Sequence, residues 1–383
     1  MTAETATAAA CAEASSEMVV ECGTPYDLPR TLGVLQRGYA DPAVRVDAGT
    51  FSGGPHGTPG AGAWMCQRIY GISPKAPRTL EERPAPLSRN TAESPASDPL
   101  ELGQVTLRFD QLSASEVRVR VAVRPERIPA DLLTETALQR AASILGVEDD
   151  WTGLELLLDA LGDRASTELA RTRRRHPGVR LPATGALFDQ VVNVTLEQKV
   201  THEQARHSWR NLLKRHGERP PSSSALSAPE WMRLPLTATQ LKRVPSWEWH
   251  RMWVQPPLSR TVLRIAERAP AIHRLGKATP SDSPSLAGLA EQLTSVPGIG
   301  PWTSAETLQR SHGAADLVAV GDYHLAHFVG EALTGRRTDD AGMLELLKPY
   351  RPHRQRVVRL LGLSGFRMSR FGPRLDPEDH RQR

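Results

Sequence analysis

Two periods divide the chain. Over residues 104–109 (QVTLRF) and 116–123 (EVRVRVAV) apolar and polar side chains alternate. Val117, Val119, Val121 and Val123 share one face, and Arg118 and Arg120 the other. A period of two marks a half-buried strand, and the short Asp- and Ser-containing link between the runs predicts an antiparallel hairpin. Upstream, residues 40–70 are Gly-rich with scattered β-formers, and residues 72–100 form a Pro/Ser/Glu-rich connector expected to be disordered. From about residue 130 the period lengthens to that of a helix. Segments 130–145, 151–172, 184–198, 201–216, 256–275, 285–296, 301–312, 323–334, 340–347 and 352–363 carry apolar residues three and four apart. Pro/Gly/Ser-rich links such as 217–228 separate them. The pattern predicts an α+β fold, with a small antiparallel sheet domain at 23–127 followed by a large all-α domain of about ten helices at 128–370. Residues 1–22 are expected to form a disordered tail, and 371–383 a second tail.

Composition narrows the class. A chain of 383 residues has room for two or three domains. No apolar run reaches the roughly eighteen residues that a membrane-spanning helix needs. The first basic residue is Arg30, so no secretory signal is expected. Cys11, Cys22 and Cys66 lie near the start without metal-ligand spacing, which excludes a disulfide framework and a four-cysteine zinc or iron–sulfur site. No metal or other cofactor is expected, and a reducing, cytoplasmic compartment is. The net charge of +5 suits an anionic partner without identifying one.

The most informative segment is 285–313, SLAGLAEQLTSVPGIGPWTSAETLQRSHG. Leu286, Leu289, Leu293 and Val296 form one apolar stripe that ends at Pro297. Gly298-Ile299-Gly300 then predicts a tight turn, with Pro301 where a new helix accepts proline. Two short helices joined through Gly-x-Gly let the backbone approach a phosphate closely, and the second helix offers free N–H groups to it. Further on, Asp322 of VGDYHL precedes a helix whose apolar side carries Leu325, Phe328, Val329, Ala332 and Leu333. An aspartate there fits an N-cap.

This hairpin, followed some twenty residues later by an aspartate at a helix start, resembles the helix–hairpin–helix DNA glycosylase superfamily. It is most similar to the alkylation-damage branch, the 3-methyladenine DNA glycosylase type II family. Tyr26-Asp27-Leu28 with Leu32-Gly33 resembles the opening of that family's sheet domain. Arg180-Leu181-Pro182, Phe188-Asp189 and Leu196 to Thr201 resemble its second block, and Lys348 to Pro352 with Arg354 its last. The likeness covers roughly 24–70 and 100–370 and is densest over 285–330.

The resemblance implies a helix–hairpin–helix glycosylase domain that flips a damaged base out of double-stranded DNA and breaks its N-glycosidic bond. Breaking that bond builds positive charge on the sugar, which a carboxylate stabilises, and by position Asp322 is that carboxylate. Trp302 and Tyr323 are candidates for the base-pocket wall, although core packing fits them equally. An aromatic wall would favour a cationic alkylated base. Gly298, Ile299 and Gly300 are expected to hold a phosphate. Gln198 fits either a DNA contact or helix packing. Lys199 stands where relatives place an apolar wedge, and fits that role or a phosphate contact. Where bifunctional members carry a Schiff-base lysine this chain has Trp302, so hydrolysis without strand cleavage is expected. No cysteine follows Cys66, which sets the chain apart from the cluster-bearing branch.

Three basic clusters remain: Arg171, Arg173, Arg174 and Arg175; Arg351, Arg354, Arg356 and Arg359; and Arg367, Arg370 and Arg374. Solvated faces explain such runs, and phosphate contact, with Arg354 foremost, explains the second equally well. The Trp247-Glu248-Trp249-His250 block with Trp253 fits core packing or an aromatic surface, with Trp249 and Trp253 sharing a helix face. Expected overall is a monomeric, nucleoid-associated glycosylase for alkylated purines. A glycosylase for another lesion, or a non-catalytic DNA-damage binder, stays open.

Overall fold

The computed structural model describes residues 14–23, 25–47, 60–73, 79–81 and 100–368. Most of the 72–100 connector, the 371–383 tail, Cys11, Arg370 and Arg374 lie outside these residues.

Five antiparallel strands form one sheet in the order β1-β5-β4-β3-β2. They are β1 (Ala14–Glu21), β2 (Val44–Asp47), β3 (Gly62–Tyr70), β4 (Glu101–Gln111) and β5 (Glu116–Pro125). The alternation in β5 works as its spacing predicts: the four valines are fully buried, and Arg118 and Arg120 turn outward to Glu17 and Asp110. Strand β1 departs from the expected disordered tail over Ala14–Glu21, and residues 1–13 of that tail lie outside the described residues. Met18 and Val20 lie on the core side opposite Val119 and Val117, and edge pairing with β5 supplies the backbone bonds. The acidic residues on its other face had masked that alternation. The connector also has an anchor, because Leu80 is buried in the core and its carbonyl accepts a hydrogen bond from Arg268 Nε at 3.0 Å.

After a one-turn α1 (Leu28–Leu32), the remaining helices begin with α2 (Ala130–Leu145), which lies against the sheet. The single helix expected over 151–172 is two, α3 (Thr152–Leu161) and α4 (Arg164–Arg175). Gly162, at φ +61°, ends the first, and Asp163 caps the second by accepting from Ser166 N. Then come α5 (Leu187–Thr195), α6 (His202–His216), α7 (Ala238–Arg243) and α8 (Ser246–Arg251). The span 256–275 also divides, into α9 (Pro256–Glu267) and α10 (Ala269–Ala278), with Pro270 in the first turn of the second. The last helices are α11 (Ser283–Thr294), α12 (Pro301–Ser311), α13 (Leu325–Thr334), α14 (Asp340–Leu347) and α15 (Arg354–Leu363).

Apolar contacts fall into two clusters that cut across the sequence. The larger joins the sheet, α1, α2 and α5 to α12. The smaller joins α3 and α4 to α13, α14 and α15, around Leu154, Leu158, Val329, Met343 and Leu360.

One buried acid sits in the larger core. Asp189 on α5 is 6% exposed, and its Oδ1 finds no partner among the described residues. Burial pushes its carboxyl from the ordinary 3.8 up to about 7, against the pull of Arg68 and Arg140. The folded state therefore favours the protonated form, and stability falls as pH rises from about 4 through 7. Asp189→Asn is expected to be more stable than wild type at pH 8 by about 1–3 kcal/mol, with the advantage vanishing near pH 4. Denaturant melts of both proteins across that range check it, because taking the difference cancels the buried His273 and His312. A constant difference would refute it.

Candidate active site

The hairpin forms as its spacing requires. Leu286, Leu289 and Leu293 of α11 and Val296 just after it are buried, and α12 starts at Pro301. Gly298 has φ +102°, and a Cβ there would lie 2.2 Å from Thr261 Oγ1 of α9. Only glycine fits. Ile299 differs from its expected role: its side chain is buried and its N–H donates to the Val296 carbonyl. What the turn can offer an anion is the backbone of the two glycines, with open space around Gly300.

Gln198 binds this turn from the side. Its Nε2 donates to the Gly298 carbonyl at 2.9 Å and to Thr303 Oγ1 at 2.8 Å. It therefore acts first as a brace that ties the 196–200 loop to the hairpin. Lys199, at the tip, is exposed and holds a left-handed φ of +53°. That conformation is uncommon for a side-chain-bearing residue.

Asp322 sits just before α13. The cap position itself is His324, but the Asp322 carboxylate makes the capping bonds, with Oδ1 accepting the N–H groups of His324 and Leu325 at 2.8 Å each. Its Oδ2 accepts from Trp302 Nε1 at 3.3 Å. The carboxylate is thus fixed at the positive end of one helix and pinned to the first turn of another.

Asp322 opens onto a cavity of about 360 Å³, a volume in the range of small-molecule sites. Leu325, Phe328, Val358 and Phe366 supply apolar walls, and Glu306 and Gln355 supply polar ones. The Phe328 and Phe366 rings lie 5.7 Å apart at 48°. Neither expected wall residue lines it. The Trp302 indole is spent on Asp322, and Tyr323 is 85% exposed, edge-on to His324. Phe328 was visible in the sequence as part of an apolar helix face, but nothing there marked it as facing a cavity.

The second basic cluster also folds inward. Arg354 is bidentate to Asp316, at 2.9 and 2.7 Å, with both side chains largely buried. Arg356 pairs with Asp149 beneath Trp151, and Arg359 donates to the Arg30 carbonyl. Only Arg351 of the four is exposed. This placement stands against the expected phosphate role of Arg354, because the Asp316 carboxylate takes its guanidinium. Arg354→Ala is expected to cost about 1–3 kcal/mol of stability through the stranded Asp316. If DNA is the partner that the resemblance implies, the slope of its affinity against salt should stay unchanged, and a shallower slope would restore the phosphate contact.

Arg173 of the first cluster is likewise drawn in, bonded to Glu155 and stacked on Trp151. Helix α8 ends at Arg251, so Trp249 and Trp253 do not share its face. Trp249 is buried, Trp247 is 63% exposed, and Trp253 stacks on His207 with centroids 3.8 Å apart. Among the described residues no cluster of His, Cys, Asp and Glu could hold a metal ion, and no helix is long and apolar enough to cross a membrane.

No protein-family model matches the chain, and no curated protein matches it. Solved structures do. A 3-methyladenine DNA glycosylase from Archaeoglobus fulgidus superposes with a TM-score of 0.62 at 14% identity, covering 91% of this chain and 98% of its own. An 8-oxoguanine glycosylase/lyase from Clostridium acetobutylicum gives 0.55 at 10% identity, covering 92% and 98%. Its complex with double-stranded DNA gives 0.53 at 8%, covering 92% and 96%. At such identities the likeness is one of architecture: the chain has the fold of the helix–hairpin–helix DNA glycosylases.

Proposed function

We propose that the protein is a DNA N-glycosylase that takes a flipped, alkylated purine into the cavity beside Asp322 and hydrolyses its glycosidic bond. The observation that carries this reading is the placement of Asp322, a carboxylate anchored through Oδ1 at the mouth of a partly aromatic cavity. Fixed in this way, it meets the positive charge that develops on the sugar as the bond breaks, with no reorganisation at that moment. It also accepts a proton from the attacking water. The Gly298–Gly300 turn holds a backbone phosphate, and Phe328 and Phe366 offset the loss of base stacking.

The residues at hand favour hydrolysis over strand cleavage. The first turn of α12 presents Trp302, bonded to Asp322, and among the described residues no lysine lines the cavity. The test is release of free base from methylated duplex DNA by wild type and by Asp322→Asn, with binding to a stable abasic-site analogue measured in parallel. Release by wild type alone supports the reading. Binding without release by either protein would leave a damage binder or another lesion.

A further inference from the structure

The cavity holds more polar groups than hydrolysis requires. Besides Asp322 it is lined by Glu306, one turn beyond Trp302 on α12, and by Gln355, in the first turn of α15. Arg310, one turn further along α12, clamps Glu306 through Oε2, and donates from Nε to the Val34 carbonyl. The Oε1 of Glu306 has no partner among the described residues. Gln355 is fixed by its main-chain N–H, which donates to the Ala315 carbonyl at 2.9 Å, while its side-chain Oε1 is buried with no partner. Stranded amide oxygens are uncommon inside proteins, and one kept beside a cavity has a hydrogen bond to gain from whatever enters. Donors are sparse by comparison. Arg367 and His324 are exposed, and Arg367 donates to the Phe366 carbonyl. Apart from the Gln355 NH2, the cavity thus offers chiefly acceptors, two of them carboxylates.

We infer that Glu306 and Gln355 read the edge of the flipped base, selecting a purine that bears an exocyclic amine and the positive charge of ring alkylation. A base with a carbonyl in place of the amine would set oxygen against oxygen and leave these acceptors unpaired. The inference rests on the glycosylase reading and gives it a substrate class.

The test uses two purines that cannot be hydrolysed, because a methyl group replaces the sugar. One is 3,9-dimethyladeninium, a permanent cation with an exocyclic amine. The other is neutral 9-methylhypoxanthine, with a carbonyl there. Binding of each to the full chain is measured by ligand-observed NMR for wild type, Glu306→Gln and Gln355→Leu. Wild type is expected to prefer the cation by about tenfold, and each variant to reduce that ratio to about twofold while holding the hypoxanthine probe as wild type does. A merely structural role would weaken both probes together and leave the ratio intact. An equal affinity of wild type for the two probes, or an unchanged ratio in both variants, overturns the inference. If base release from methylated DNA persists in that case, only the edge-reading assignment falls. Absence of both release and probe binding takes the glycosylase reading with it.

Discussion

Replacing Asp322 by Asn is expected to slow base release by roughly 10³-fold while DNA affinity stays within about threefold of wild type. The substitution is close to isosteric. The remaining oxygen still accepts the N–H groups of His324 and Leu325, so the start of α13 keeps its cap. What is lost lies on the other side. An NH2 group facing Trp302 Nε1 sets donor against donor, and the negative charge next to the sugar is gone. Asp322→Ala separates the two effects, since it also removes the cap and should lower stability by about 1 kcal/mol more than the amide does. Single-turnover release under saturating enzyme, together with melting curves, measures both. Release by the Asn variant at the wild-type rate would remove Asp322 from the chemistry and leave it only a capping residue.

Gly298→Ala is expected to destabilise the protein by about 2–4 kcal/mol, the sum of a strained backbone and a collision. The φ of +102° lies outside what an L-residue adopts readily, and the new methyl would meet Thr261 Oγ1 and Cγ2. Thr261 cannot swing away easily, because it is buried and its hydroxyl donates to the Pro257 carbonyl. Thr261→Ala removes both colliding atoms. The double variant should therefore recover about 1 kcal/mol or more over additivity, and strict additivity would show that the collision is not the cause. Gly300→Ala is the contrast. Its φ of −107° is ordinary and open space surrounds it, so stability should change by less than about 1 kcal/mol.

The parts of the fold that the sequence displayed were those with a sustained period. The valine ladder of β5 and the limits of α2 and α14 follow from spacing alone. Long periodic spans hid breaks, because Gly162 and Arg268 interrupt helices whose apolar stripe runs on across them. The two short helices α7 and α8 offered too few turns for any period to register. Strand β1 was obscured by its acidic outer face. At the site, local signals were legible and tertiary ones were not. The hairpin, Asp322 and its neighbour Trp302 share a continuous stretch of chain whose spacing carries meaning. Phe366, Gln355 and Glu306 meet at one cavity only because α15 folds back against α13, and no periodicity announces that meeting. The Arg354–Asp316 pair was invisible for the same reason: a basic run looks solvated until its distant carboxylate is placed beside it.

The two apolar clusters have a consequence for how the chain comes off the ribosome. Apart from Trp151, Leu181, α3 and α4, the clustered apolar residues up to Ala314 belong to the larger cluster and can close as they emerge. Helices α3 and α4 must wait, because their partners are the last three helices, some 150 residues later in translation. At about 5–20 residues per second, that is an interval of roughly ten to thirty seconds in which Leu154 and Leu158 lack their final cover. The cavity, walled by those late helices, is completed last, so a nascent chain forms the Gly298–Gly300 hairpin before it closes the pocket beside Asp322.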